Sequence, residues 1–312
     1  MSGERGIALI AVLGTLAVLS VVAAAVVASS QTGRMLTSGA VRRMDAVYVE
    51  ESAAAIIIWR IADDRAKNAA RTAGTVITGI ERFQADGRPH TVGDCTVRIY
   101  DANSGLSVSG SDPAGVFSYL KIRHVSDPAM LTALDDFTNR ISDYVDSDDF
   151  LRPNSYERAD YELSQKPRLP RNGVLQYREE LLWIPGGEAF FEADESGVLT
   201  AFNQVGITGG RPHFLSAPLR LIQDKCGFDA NEMATVKNGI EQMTDQGIAF
   251  DEAFKPYPGI REKLRQEFSM SESGTYLLKI TKEGSGRTLQ VTLLINSALP
   301  PERLIITQWM WL

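Results

Sequence analysis

The side chains best placed to do chemistry lie in one stretch, Asp143 to Tyr161, which reads DYVDSDDFLRPNSYERADY. Asp143, Asp146, Asp148, Asp149 and Glu157 fall within it, beside Pro153-Asn154. A hard cation such as Ca2+ takes roughly six to eight oxygen ligands, which carboxylates and loop carbonyls can supply. The spacing is not that of an EF-hand, because no Gly stands at the turn and no Glu at the twelfth position. A solvated acidic loop would have the same composition, so the residues alone leave both readings open.

Other chemistry is poorly supplied. His90, His124 and His213 are far apart in sequence, and none sits in an HExxH motif. Glu179-Glu180 and Asp135-Asp136 could offer a general acid and base. Adjacent carboxylates of this kind are ordinarily solvated. There is no GxSxG, P-loop or dinucleotide fingerprint. Gly284 and Gly286 lie between two strand-like runs, where a turn is expected. The reading is therefore of a protein that is not an enzyme. Cys95 and Cys226 make no CxxC pair. They either form a disulfide in an oxidising compartment or sit as two separate buried thiols. With 32 basic against 39 acidic residues and no basic stripe, nucleic acid is not an expected partner.

The elements that carry these residues begin with the first thirty positions. Met1 to Gly6 form a short polar leader, MSGERG, and no charged residue occurs from Ile7 to Ala28. As a helix, that stretch would reach about 33 Å, enough for a bilayer core of about 30 Å. A secretory signal peptide would have a shorter apolar region and then a cleavage site. Here helical character continues. Val41, Met44, Tyr48, Ala55, Ile58 and Ala62 recur at helical spacing, and no Pro precedes Pro89. One helix is expected from about Ile7 to Ala70, half in lipid and half amphipathic in water.

Beyond it, Thr75 to Ile80 and Thr96 to Tyr100 read as strands, with Asp86-Gly87 as the turn between them. Thr275 to Thr281, Thr288 to Asn296 and Arg303 to Leu312 read as three more. The middle, Leu106 to Glu272, reads mainly helical. Asp127 with Pro128 is a helix start. Asp229 with Glu232 is a capping box. Stripes at Met130, Leu134, Phe137 and Ile141, at Met233, Val236, Ile240 and Met243, and at Ile260, Leu264 and Phe268 are core-facing.

A polar leader ending in Gly, then an apolar span that continues into an amphipathic helix, resembles the type IV pilins and pseudopilins. The acidic stretch narrows the resemblance to the K-type minor pseudopilins of type II secretion. Their pattern of Asp-aromatic-x-Asp-x-Asp, a Pro-containing loop, then Glu and Tyr is matched by Asp143, Tyr144, Asp146, Asp148, Pro153, Glu157 and Tyr161. Ser155-Tyr156 replaces the usual Gly-Ala. The resemblance implies cleavage by a prepilin peptidase after Gly6, N-methylation of Ile7, and Ca2+ at Asp143, Asp146, Asp148, Asp149 and Glu157. The fifth mature position, usually Glu, is Ala11. A carboxylate within the span costs about 2.5–3.5 kcal/mol unless paired. An apolar residue there suits a tip subunit, which lacks a neighbour on one side.

The implied fold is α+β. A long N-terminal helix packs on a small antiparallel sheet, and a large α-helical domain is inserted. The division would be leader 1–6, transmembrane helix 7–30, first pilin-like part 31–104, helical insert 105–272 and C-terminal strands 273–312. The implied role is at the tip of the pseudopilus, supporting secretion of folded proteins. Implied partners are I- and J-type pseudopilins, the H type, the prepilin peptidase, the inner-membrane platform, the secretin and cargo. Alternatives are a minor pilin of a type IV pilus and a membrane-anchored periplasmic hydrolase or binding protein. The resemblance places the soluble part in the periplasm. Arg34, Arg42 and Arg43 after the span, against Arg5 before it, would by the positive-inside rule place it in the cytoplasm.

Overall fold

The computed structural model describes residues 3–67, 83–108, 117–164, 169–191, 201–203, 210–295 and 304–311. Helix α1 runs from Gly3 to Lys67 without a break. It is long and apolar enough to cross a membrane, and its lipid-length half is exposed along the residues whose side chains are described. The expected strand at Thr75–Ile80 and the end of the expected helix at Ala70 lie outside the described residues.

The second half of α1 packs on a sheet. Strands β1 (Asp86–Val92), β2 (Cys95–Asp101), β3 (Thr275–Lys282), β4 (Leu289–Ile295) and β5 (Leu304–Trp311) form it. Their order is β1-β2-β3-β4-β5, and every neighbouring pair is antiparallel. Alternation along the strands turns Cys95, Val97 and Ile99 of β2 and Tyr276, Leu278 and Ile280 of β3 towards α1. Leu289, Val291 and Leu293 of β4 complete the wall. From α1 the core takes Ala53, Ala54, Ile57, Ile58 and Ile61.

Only part of the expected stripe lies on that face: Ile58 is buried and Ala62 half-buried, while Val41, Met44, Tyr48 and Ala55 stay exposed. The sheet takes a face that centres on Ala53, Ala54, Ile57, Ile58 and Ile61. Glu50 lies on this face and is fully buried. The Lys282 backbone N–H donates to it at 3.2 Å, and Arg287 pairs with it at 3.4 Å.

The turn also differs from expectation. Asp86-Gly87 lies inside β1 at a register shift, and the hairpin turns between Val92 and Cys95. Gly87 has φ +73, a left-handed conformation that a residue with a Cβ adopts only under strain. A shift of this kind is a bulge, which explains how a Gly next to an Asp can mark a strand interior.

Between β2 and β3 the chain is mainly helical. Helices α2 (Ser118–Arg123), α3 (Pro128–Val145), α4 (Arg158–Leu163), α5 (Leu219–Cys226), α6 (Ala230–Asp245), α7 (Phe250–Ala253) and α8 (Pro258–Glu267) follow in order. Asp127 caps α3, accepting from the N–H groups of Ala129 and Met130 at 3.1 Å each, with Pro128 at the first helical position. Asp229 and Glu232 form the capping box of α6. Leu134, Phe137 and Ile141 of α3 are fully buried in one core with Phe117, Phe191 and Phe202. Met233, Val236 and Met243 of α6 join Phe214, Phe254, Leu264 and Phe268 in another.

The ends of this helical part are pinned to the sheet by a buried polar joint. Asp101 accepts from the Ser273 N–H at 2.6 Å, the Ser273 hydroxyl at 2.7 Å and the Asn103 N–H at 2.8 Å. Its own N–H donates to Ser216 at 2.8 Å, and the Ser216 hydroxyl donates to the Ala85 carbonyl. Asn203 bridges Asn103 and Gly105, each at 2.7 Å.

Candidate metal site

The last turn of α3 is buried on more than one side, so Asp143 is fully buried together with Tyr144 and Val145 although it points away from Ile141. Asp146 ends the helix in an extended conformation. The loop that follows folds back along α3. Asp148 accepts from the Phe150 N–H at 3.0 Å, making the first turn. Asn154 adopts φ +55 and donates its amide to Asp136 at 2.9 Å. Asn139 holds the Pro153 carbonyl at 3.1 Å, and Arg140 holds those of Asn154 and Pro185 at 2.9 Å. The chain then re-enters the protein at Glu157, which opens α4 and is 7% exposed.

Beneath lies a second buried carboxylate. Glu180 accepts from Tyr144 at 2.9 Å, Arg171 at 2.6 Å, and the N–H groups of Gln176 and Tyr177 at 2.8 and 2.9 Å. It is therefore satisfied, and it fixes Tyr144 next to Asp143. At Gly187 a Cβ would collide with the Leu181 carbonyl oxygen, so only glycine permits this close turn behind the site.

The arrangement brings carboxylate oxygens of Asp143, Asp146 and Glu157 within 4.8 Å of one another. Both oxygens of Glu157 and one of Asp146 are buried without a hydrogen-bond partner, as are the Tyr161 and Ser155 hydroxyls. A buried carboxylate without donors is costly unless a cation stands nearby. Burial pushes the Glu157 carboxyl up to about 7, helped by the charges of Asp143, Asp146 and Asp149. Hard, anionic oxygens converging from a helix end and a loop fit Ca2+.

Three of the five expected ligands are thus brought together. Asp148 and Asp149 are not in this group; the first is used in its turn, and the second acts on Glu157 through its charge. Sequence reading missed Arg152. Its side chain donates to Asp143 and, at 2.6 Å, to Asp146, while its backbone N–H donates to Asp143 at 2.9 Å. An Arg inside an acidic run, shortly after the Asp cluster, was the available signal. Glu180 was also missed as an organiser, because Glu179-Glu180 reads as a solvated pair.

The other candidates are dispersed. Gly6, Ile7 and Ala11 lie within α1, and their side chains are outside those described. Cys95 and Cys226 form no disulfide: both are free and buried, one in the sheet core and one in the α5–α8 core. The histidines occupy separate places. His90 packs on Phe83, His124 on Phe190, and His213 meets Ser216 at 3.2 Å.

No family model matches the chain, and no curated protein matches it. Among solved structures, a chain of the crystal structure of the GspK-GspI-GspJ complex from the enterotoxigenic Escherichia coli type 2 secretion system shares its architecture. The TM-score is 0.55 at 12% identity, over 88% of this chain and 98% of that one. The chain shares the fold of that structure, a pilin-like α+β arrangement. In it, α1 is both the apolar rod and the backing of the sheet. The acidic cluster stands on the helical body, between α3 and α4.

Proposed function

We propose that the chain is a K-type minor pseudopilin, a non-enzymatic structural subunit at the tip of the type II secretion pseudopilus. The observation that carries this reading is the architecture. An unbroken α1 passes from an apolar span into a sheet-packed half, and a bulky helical part, 105–272, interrupts the sheet between β2 and β3. The solved structure that shares this fold comes from a complex of K, I and J pseudopilins. By that likeness, I- and J-type subunits are the nearest partners. The H type, the inner-membrane platform, the secretin and cargo are further ones. Ala11 supports the tip position, since it leaves no charge to be stranded in an end subunit. The soluble body would stand in the periplasm.

Ca2+ would be held by Asp143, Asp146 and Glu157. When bound it supplies positive charge to buried oxygens and ties the end of α3 to the start of α4. The chain's own residues do the rest: Arg140 and Asn139 hold the loop, and Glu180 orients Tyr144.

The test is the mature N-terminus of the full chain made in cells with an active prepilin peptidase. Loss of Met1–Gly6 with one added methyl group is expected, together with co-purification of I- and J-type pseudopilins. An intact leader would overturn the reading. Co-purification with pilus subunits instead would assign the chain to a type IV pilus.

A further inference from the structure

We propose that Arg152 is a tethered cation that occupies the acidic cluster in the metal-free protein and competes with the metal for the same oxygens. The inference rests on the reading of Asp143, Asp146 and Glu157 as a cation site. Its own basis is separate. The guanidinium of Arg152 reaches Asp143 and Asp146, using one oxygen of each. It does not reach Glu157, whose oxygens remain without a partner at 7% exposure. Arg152 therefore bridges two of the three carboxylates with a single positive charge, which leaves the cluster net negative and Glu157 without a cationic partner. A divalent cation could serve all three.

The two cations compete for the cluster. Both Asp143 oxygens are already engaged, one by the guanidinium and one by the Arg152 N–H, and two positive charges at this range repel. The anatomy suits an exchange. The Arg152 side chain is 42% exposed, so it can turn out to water without crossing the core, whereas Asp143 is fully buried and stays. The Arg152 N–H bond to Asp143 is made by the backbone and needs no charge on the side chain. The loop can thus keep its place while the guanidinium leaves. Arg152 then sets metal affinity without being a ligand. It prevents Asp143, Asp146 and Glu157 from facing one another with no positive charge among them.

The experiment is calorimetric titration of Ca2+ into the full-length, chelator-treated chain in detergent micelles, beside thermal melting with and without Ca2+. Arg152→Gln should bind about tenfold more tightly than wild type, the scale of releasing one charge-assisted pair. Its metal-free form should melt lower, and Ca2+ should restore more than it does in wild type. Arg158→Gln makes the same change of charge beside Glu157 and should change affinity by less than about threefold, as for a screened surface charge. Arg152→Lys keeps the tethered charge and should stay near wild type. The proposal is overturned if Arg152→Gln binds no more tightly than Arg158→Gln, or if Arg152→Lys behaves as Arg152→Gln. Failure of the cation-site reading is distinct: wild type and every variant would then show no Ca2+ heat.

Discussion

Individual side chains here divide into those whose chemistry is spent inside the fold and those held ready. Cys226 belongs to the first kind. Burial, with Glu267 adding to it, pushes its thiol up to about 12. The folded state then binds its proton more tightly than the unfolded chain does. The stabilisation is complete below the ordinary thiol value near 9 and is lost as pH climbs towards 12. Native protein at pH 9 should resist iodoacetamide at Cys226, and unfolded protein should react, as read by peptide mass. Rapid labelling of the native chain would contradict the packing described. At this scale the sequence was legible where residue type alone decided, as with the carboxylates of the acidic run. It was illegible where a partner arrives across a loop. Arg152 lies nine positions from Asp143, and only the fold-back imposed by Asn139, Arg140 and Asn154 makes them neighbours.

Among the elements, α1 shows how periodicity can locate a helix and still misplace its buried side. Val41, Met44 and Tyr48 have the right spacing for a stripe, yet the sheet rests on Ala53, Ala54, Ile57, Ile58 and Ile61. Apolar residues cover much of this helix, so spacing alone offers more than one face. The choice falls to the strands, which seat on Ala53, Ala54 and Ile57 and leave Tyr48 outside. Ile57→Ala should therefore lower stability by about 2–5 kcal/mol, as for a cavity in a packed core. Tyr48→Ala should stay within about 0.5 kcal/mol in the isolated subunit. Denaturant melts of both variants check this, and equal losses would restore the first assignment. Caps were read with more success. Asp127-Pro128 and Asp229 with Glu232 act locally, so their outcome depends on a few neighbouring residues.

Seen as a whole, the molecule has separate cores joined by a polar seam, with Asp101 at its centre. Replacing Asp101 with alanine would leave the buried Asn103 N–H and the part-buried Ser273 N–H without their acceptor, at a cost of about 1–3 kcal/mol. Because those donors stand where the chain leaves and regains the sheet, the loss should also uncouple the cores. Calorimetric melting of Asp101→Ala should show two transitions where wild type shows one; a single cooperative peak at nearly the wild-type temperature would refute the seam's importance. The sequence showed β2, the three C-terminal strands and helices between them, but the start of β1 read as a turn. It could not show the seam, since Asp101, Asn203, Ser216 and Ser273 are far apart along the chain and unremarkable in type.

The unbroken run of α1 also fixes an azimuth. No kink or loop separates the lipid-length half from the half that the sheet grips. Each residue turns a helix by about 100° and advances it about 1.5 Å. The side of the rod facing a neighbour in the bilayer is thus set by the way Ile57 and Ile61 seat against the strands. One residue added between Ala28 and Asp45 would swing the greasy end by more than a quarter turn, and seven would nearly bring it back.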